Sequence, residues 1–200
     1  MKDKLRYYMS LFLYVLRTKN EISKNSLYRY IYIYDAAVSY LENRDSNRVF
    51  QEFILDSNIG LVNVSSMEES LHFLYSNGLV TLESYSIKST KLLVERFEKM
   101  KTESQKVKDD LNRVTYFVNV ISSYSDEVIL SVFFNEPNVE DALSRNKMEV
   151  SLQDNGLKNL LTAFQKQAKK SGIELDTYDT FISWLDFVFE EYLERKQIND

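Results

Sequence analysis

Apolar and polar positions along this chain follow mainly the period of an α-helix. From Asp3 to Lys19, Leu5, Tyr8, Leu11, Phe12, Val15 and Leu16 form one wide stripe, and Tyr7, Leu13 and Tyr14 extend it nearly all round. A helix apolar on most sides is buried on most sides, in its own core or in a partner's. A second helix is predicted from Leu27, Tyr30, Ile31, Tyr34, Val38 and Leu41, with Ser26 as its N-cap, although alternation over residues 28 to 34 also admits a strand. A polar break at Asn43 to Arg48 precedes a short helix predicted around Val49 to Leu55.

The passage IGLVNVSSMEESLHFLYSNGLVTLESYSIKST is the most legible. Ser65 and Ser66 each stand three residues before a glutamate, Glu68 or Glu69, and so read as capping boxes opening a helix through Met67, Leu71, Leu74 and Tyr75. Asn77-Gly78 supplies a left-handed stop. Leu79 to Ser84 then alternates as a strand, Tyr85-Ser86 is a tight connection, and Ile87 to Ser89 returns. Helix, glycine stop, strand, short wing, strand is the order of a winged helix-turn-helix.

Residues 90 to 123 contain neither proline nor glycine and read as one long helix. Leu93, Phe97, Met100, Ser104, Val107, Leu111, Val114, Val118 and Ile121 alternate steps of four and three, and only Ser104 interrupts this seam with a polar residue. Four heptads span about 42 Å at 1.5 Å per residue, longer than a domain of this size is wide, so part of the seam is expected to project. Leu93, Phe97, Met100, Val107, Leu111 and Val114 are therefore the candidate partner-binding residues. Further on, EVILSVFFNEP is a short apolar segment closed by Pro137, and Asn138 with Asp141 reads as a cap for another short helix. Ser144 to Gly156 is polar and reads as a linker or exposed loop. Helices follow over Leu157 to Lys170 and, capped by Asp176 or Thr177, through Phe181, Trp184, Leu185, Val188, Phe189, Tyr192 and Leu193. The expected fold is mainly α: a winged-helix-like domain over residues 1 to 125, with a small β-wing and the long helix, then a C-terminal helical region over residues 126 to 200.

Composition narrows the chemistry. One proline and four glycines in 200 residues disfavour a turn-rich β architecture, and the absence of cysteine excludes disulfides and thiolate chemistry and suits a reducing cytoplasm. Lys2, Lys4 and Arg6 before an apolar run mimic a signal peptide, but no small-residue cleavage site follows, and the run is about half the ~20 residues of a membrane span. No membrane anchor is expected. His72 is the only histidine and has no nucleophile elbow nearby, so it reads as an ordinary helical residue. Glu190, Glu191 and Glu194 read as a solvated acidic face. The glycines at 60, 78, 156 and 172 are isolated, which sets aside phosphate loops and dinucleotide turns. No cofactor, metal or catalytic residue is expected.

Charge by segment decides how the winged-helix order is read. Residues 51 to 85 carry five acidic residues and no Lys or Arg, and this stretch contains the helix that would enter a DNA groove. Glu68 and Glu69 sit at its dipole-positive end, where a phosphate would otherwise lie, so duplex DNA should be repelled. Lys88, Lys91, Arg96, Lys99, Lys101, Lys106 and Lys108 allow nonspecific backbone contact, but Glu95, Glu98 and Glu103 are interleaved with them, and a solvated mixed-charge surface is favoured.

The succession LYRYIYIYD, NIGL, SLHFLYSNGLV with its wing, and SDEVILSVFFNEPN resembles the small accessory components of bacterial ABC-three-component systems, in particular the LmuC-type subunits of Lamassu anti-phage operons, over about residues 20 to 140. The resemblance implies a non-catalytic adaptor assembled with an SMC-like ATPase and an effector nuclease, any DNA contact being made through the complex. The rival expectation is a winged-helix transcriptional regulator, dimeric through the long helix.

Overall fold

A computed structural model describes residues 2–19, 22–42, 49–50, 52–151 and 155–199. The polar break at residues 43 to 48 lies outside the described residues. Most of the described chain is helical, with two small antiparallel sheets, and it divides into two units, each made of separate stretches: residues 1–31 with 63–123, and residues 32–62 with 124–200. Residues 32–62 belong to the second unit rather than to a continuous domain over residues 1 to 125, because their strands pair there.

In the first unit, α1 (Lys2–Leu16) is the central helix. Every residue from Tyr8 to Tyr14 is buried, along with Leu5 and Leu16, so the nearly continuous apolar surface read from the sequence is covered within the chain itself. It packs on α3 (Val64–Ser76), α4 (Lys91–Glu103) and α5 (Gln105–Ile121). Phe12 meets Phe117 edge-on at 6.0 Å between centroids, and the two are 0% and 2% exposed. Full burial of such a ring contributes roughly 1.5–3 kcal/mol. The helix α2 (Lys24–Leu41) opens not at Ser26 but one turn earlier, where the Ser23 hydroxyl accepts from the Ser26 backbone N–H at 3.0 Å. Helix α3 likewise starts at Val64 rather than after the serine pair; Asn63 precedes it in the left-handed region, and its side chain makes no cap bond.

The glycine stop forms as the sequence predicts. Gly78 sits at φ +67°, its N–H reaches Tyr75 O at 2.9 Å, and Leu79 N–H reaches Leu74 O at 3.0 Å, a Schellman closure that a Cβ would strain. The chain then enters β4 (Val80–Glu83), turns through Ser84 and Tyr85, and returns as β5 (Ser86–Ser89). β5 also pairs with β1 (Ile22–Ser23), giving the antiparallel order β1-β5-β4 with Ile87 between Ile22 and Leu82.

The predicted long helix is two helices. Ser104, at φ −138° and ψ 118°, is extended; it ends α4 and caps α5, its hydroxyl accepting from Val107 N–H at 3.4 Å. The polar residue that interrupts the seam is the point at which the chain turns, since an N-cap hydroxyl stabilises a new helix start by about 1 kcal/mol.

The second unit holds β2 (Glu52–Asp56), β3 (Leu61–Val62) and β6 (Glu149–Ser151) in the order β3-β2-β6, with helices α6 (Asp126–Phe134), α7 (Pro137–Ser144), α8 (Gly156–Lys170) and α9 (Thr177–Asn199). The short helix predicted at Val49 to Leu55 is therefore a strand. Phe53 and Leu55 point inward, 0% and 1% exposed, while Ile54 between them is 58% exposed, the two-residue alternation of a pleated strand. The linker predicted at residues 144 to 156 likewise contains a strand, β6, paired to β2 in the register Phe53 to Val150. Helix α7 is capped by Glu136 with Pro137 at its first position, not by Asn138. Asp176 caps α9, accepting from Asp179 N–H at 2.8 Å.

Candidate partner-binding surface

The six seam residues are distributed differently from the expectation. Leu93, Phe97, Val107, Leu111 and Val114 are buried in the core of the first unit, and only Met100 is half-exposed. The break at Ser104 lets α4 and α5 pack on each other and on α1, so the seam does not project as a free apolar edge. Three of the six nevertheless share a surface feature: Leu93, Phe97 and Met100 line a groove of about 250 Å³ formed by α1, the C-terminal end of α3 and α4.

Two arginines join them. Arg6, on α1, lays its guanidinium 4.1 Å from the centroid of Phe73. Its Nε is buried without a hydrogen-bond partner, one terminal nitrogen is 3.5 Å from Asp3, and the other is 3.9 Å from Glu69. Arg96, one turn before Met100 on α4, is exposed and makes no ion pair among the described residues. Tyr7, Leu74 and Leu79 also line the groove. The sequence reading counted Arg96 only as one cation of a mixed-charge helix and gave Arg6 and Phe73 no role. Nothing in linear spacing joins positions 6, 73 and 96, which meet only because three helices converge.

The outer face of α3 carries Glu69, His72, Phe73 and Tyr75, and no Lys or Arg. Its two glutamates are held by cations from other helices: Lys24 reaches Glu68 at 2.8 Å, and Lys2 reaches Glu69 at 2.8 Å, which lowers the Glu69 carboxyl below its usual range. His72 has the Ser76 hydroxyl 3.4 Å from Nε2 and Tyr75 as its ring neighbour, an exposed helical arrangement. Several cations of β5, α4 and α5 are similarly engaged. Lys88 pairs with Glu83 at 2.8 Å, Lys91 with Glu95 at 3.6 Å, Lys99 with Glu103 at 3.9 Å and Lys106 with Asp110 at 2.5 Å.

Asp110 is the buried acid of this unit. Its carboxylate accepts from Tyr7 Oη at 2.8 Å, Lys106 Nζ at 2.5 Å and Arg113 at 2.5 Å. Burial, then the Asp110 hydrogen bond, push the Tyr7 phenol well above its ordinary range. In the second unit, buried Glu136 accepts from Tyr32 Oη at 2.7 Å, from Asn138 Nδ2 at 2.8 Å, and from the backbone of Asn138 and Val139 at 3.2 and 3.1 Å. Both carboxylates hold elements together. Among the described residues, no three His, Asp or Glu side chains are arranged to hold a metal ion, and no single helix is long and apolar enough to cross a membrane. Comparison with protein-family models, curated proteins and solved structures found no match to this chain.

Proposed function

We propose that this chain is a non-catalytic, cytoplasmic adaptor that works by binding other proteins, as a subunit of a bacterial defence assembly containing an SMC-like ATPase and an effector nuclease. The observation that carries this reading is the outer face of α3. This helix, which precedes the β4-β5 hairpin, is the one a winged-helix reading would assign to DNA, yet it carries no Lys or Arg of its own and exposes Glu69, Phe73 and Tyr75, its acids being paired by Lys2 and Lys24 from other helices. A helix with no cation of its own offers a polyanion no phosphate contacts, whereas exposed aromatic rings beside paired carboxylates suit contact with protein. The assembly itself is supported by the sequence resemblance.

Coexpression with an SMC-like ATPase and an effector nuclease encoded beside it should yield one copurifying complex, while the isolated chain hydrolyses neither ATP nor DNA. A chain that stays monomeric in the presence of both would overturn the proposal. The rival regulator is favoured by the β1-β5-β4 sheet order alone. It requires binding to its own promoter with a steep fall in affinity as salt rises, which the adaptor should not display.

A further inference from the structure

Resting on the reading of this chain as a protein-binding adaptor, we propose that the groove between α1 and α4 receives one amphipathic segment of a partner protein. A large apolar side chain of that segment sits on Leu79, Phe97 and Met100, and its neighbouring carboxylate lies against Arg6 and Arg96. At about 250 Å³ the space suits one side chain with its backbone rather than a cofactor. Its floor is apolar, which gives an occupying hydrocarbon or aromatic group a reason to leave water.

Charge selects the rest of the occupant. Arg6 is poorly satisfied in the free chain: its Nε donor is unused, and its contacts with Asp3 and Glu69, at 3.5 and 3.9 Å, are long for charge-assisted hydrogen bonds. Glu69 is already held by Lys2 at 2.8 Å. Arg96 adds a second guanidinium without an ion pair among the described residues. Two cations, Arg6 and Arg96, therefore line the groove against one acid, Asp3. An incoming carboxylate replaces long contacts with short ones. The stacking of Arg6 on Phe73 fixes the plane of its guanidinium in advance, which favours two-point recognition of a planar carboxylate.

The smallest molecule with both features is an acylated apolar amino acid, so the test uses N-acetyl-phenylalanine and its uncharged amide as probes of the intact, isotope-labelled chain. The acid should shift the Met100 methyl and Arg6 Hε resonances saturably, with a dissociation constant of about the millimolar range for a ligand of this size. The amide should bind at least about fivefold more weakly, and Arg96→Gln, an exposed substitution checked for unchanged melting, should shrink that preference. Equal binding of acid and amide, or no response at Met100, overturns the proposal. So does an equal response to inorganic phosphate, which assigns the arginines to a nucleic-acid backbone. A dimer by light scattering that dissociates in Arg96→Glu assigns the groove to a second copy and also overturns it. Because copurification with partners is a separate measurement, a silent groove beside an intact complex removes only this inference. A responsive groove in a chain that joins no complex removes the adaptor reading instead.

Discussion

Asp110 in the first unit and Glu136, which with Asp35 is buried in the second, are held in place differently. Asp110 is held by side chains: two cations from its own helix, Lys106 and Arg113, and the phenol of Tyr7 from α1. Lys106 is 74% exposed, so much of that attraction is shared with water and salt. Glu136 is 0% exposed and accepts from donors fixed by the fold, two of them backbone N–H groups at the start of α7. Preorganised donors lose little entropy on binding and are costly to leave unpaired, whereas flexible cations return to solvent when their partner is removed. The two sites should therefore respond to truncation and to salt in different degrees.

The largest effect expected is from Glu136→Ala, which removes the acceptor shared by the Tyr32 hydroxyl, the Asn138 amide and two backbone donors. A loss of about 4 kcal/mol should be read as an earlier urea transition in the fluorescence of Trp184, the chain's one tryptophan, which lies in the same unit. An unchanged midpoint breaks the comparison. Asp110→Ala should cost less, about 2 kcal/mol, because Lys106 regains water, and the loss should be seen by far-ultraviolet circular dichroism more than by Trp184. One molar salt should narrow the Asp110 penalty while leaving that of Glu136 in place. Ser104→Ala removes the hydroxyl cap of α5 and should cost about 1 kcal/mol in the first unit.

The smallest effect concerns pH. The folded-state pKa of Tyr7 is raised, so its contribution is complete below the ordinary phenol value near 10 and is lost as pH rises further, when the unfolded chain ionises first. Melting temperature should fall between pH 9 and 11, and Tyr7→Phe should fall less steeply over that interval. Identical slopes would remove the phenol of Tyr7 from the account.

What could be read from the sequence were features written into neighbouring residues. The α1 stripe, the Gly78 closure, the β4-β5 wing, the last two helices and the gap in positive charge all depend on contacts a few residues apart. The misread elements depend on distant partners. Glu52 to Asp56 becomes a strand because residues 149 to 151 lie beside it, and that pairing also turns the supposed linker into β6. At Ser104 the signal was present as a polar break in the seam, but heptad spacing is equally satisfied by two helices packed on one core. The groove was half legible: Leu93, Phe97 and Met100 were named, while Arg6 and Phe73 join them only through tertiary structure.

The interleaving of the two units has a consequence for how the chain is made. Strand β2 leaves the ribosome roughly 100 residues before β6, to which it pairs through Glu52 and Ser151. At bacterial elongation rates of about 5–20 residues per second that is a delay of about 5–20 seconds, during which Phe53 lacks its eventual strand partner Val150 while the nascent first unit can already close. A growing chain stalled near residue 125 would carry β2 joined to β3 but with its other edge open, and should depend on chaperones that shield such edges until translation passes β6.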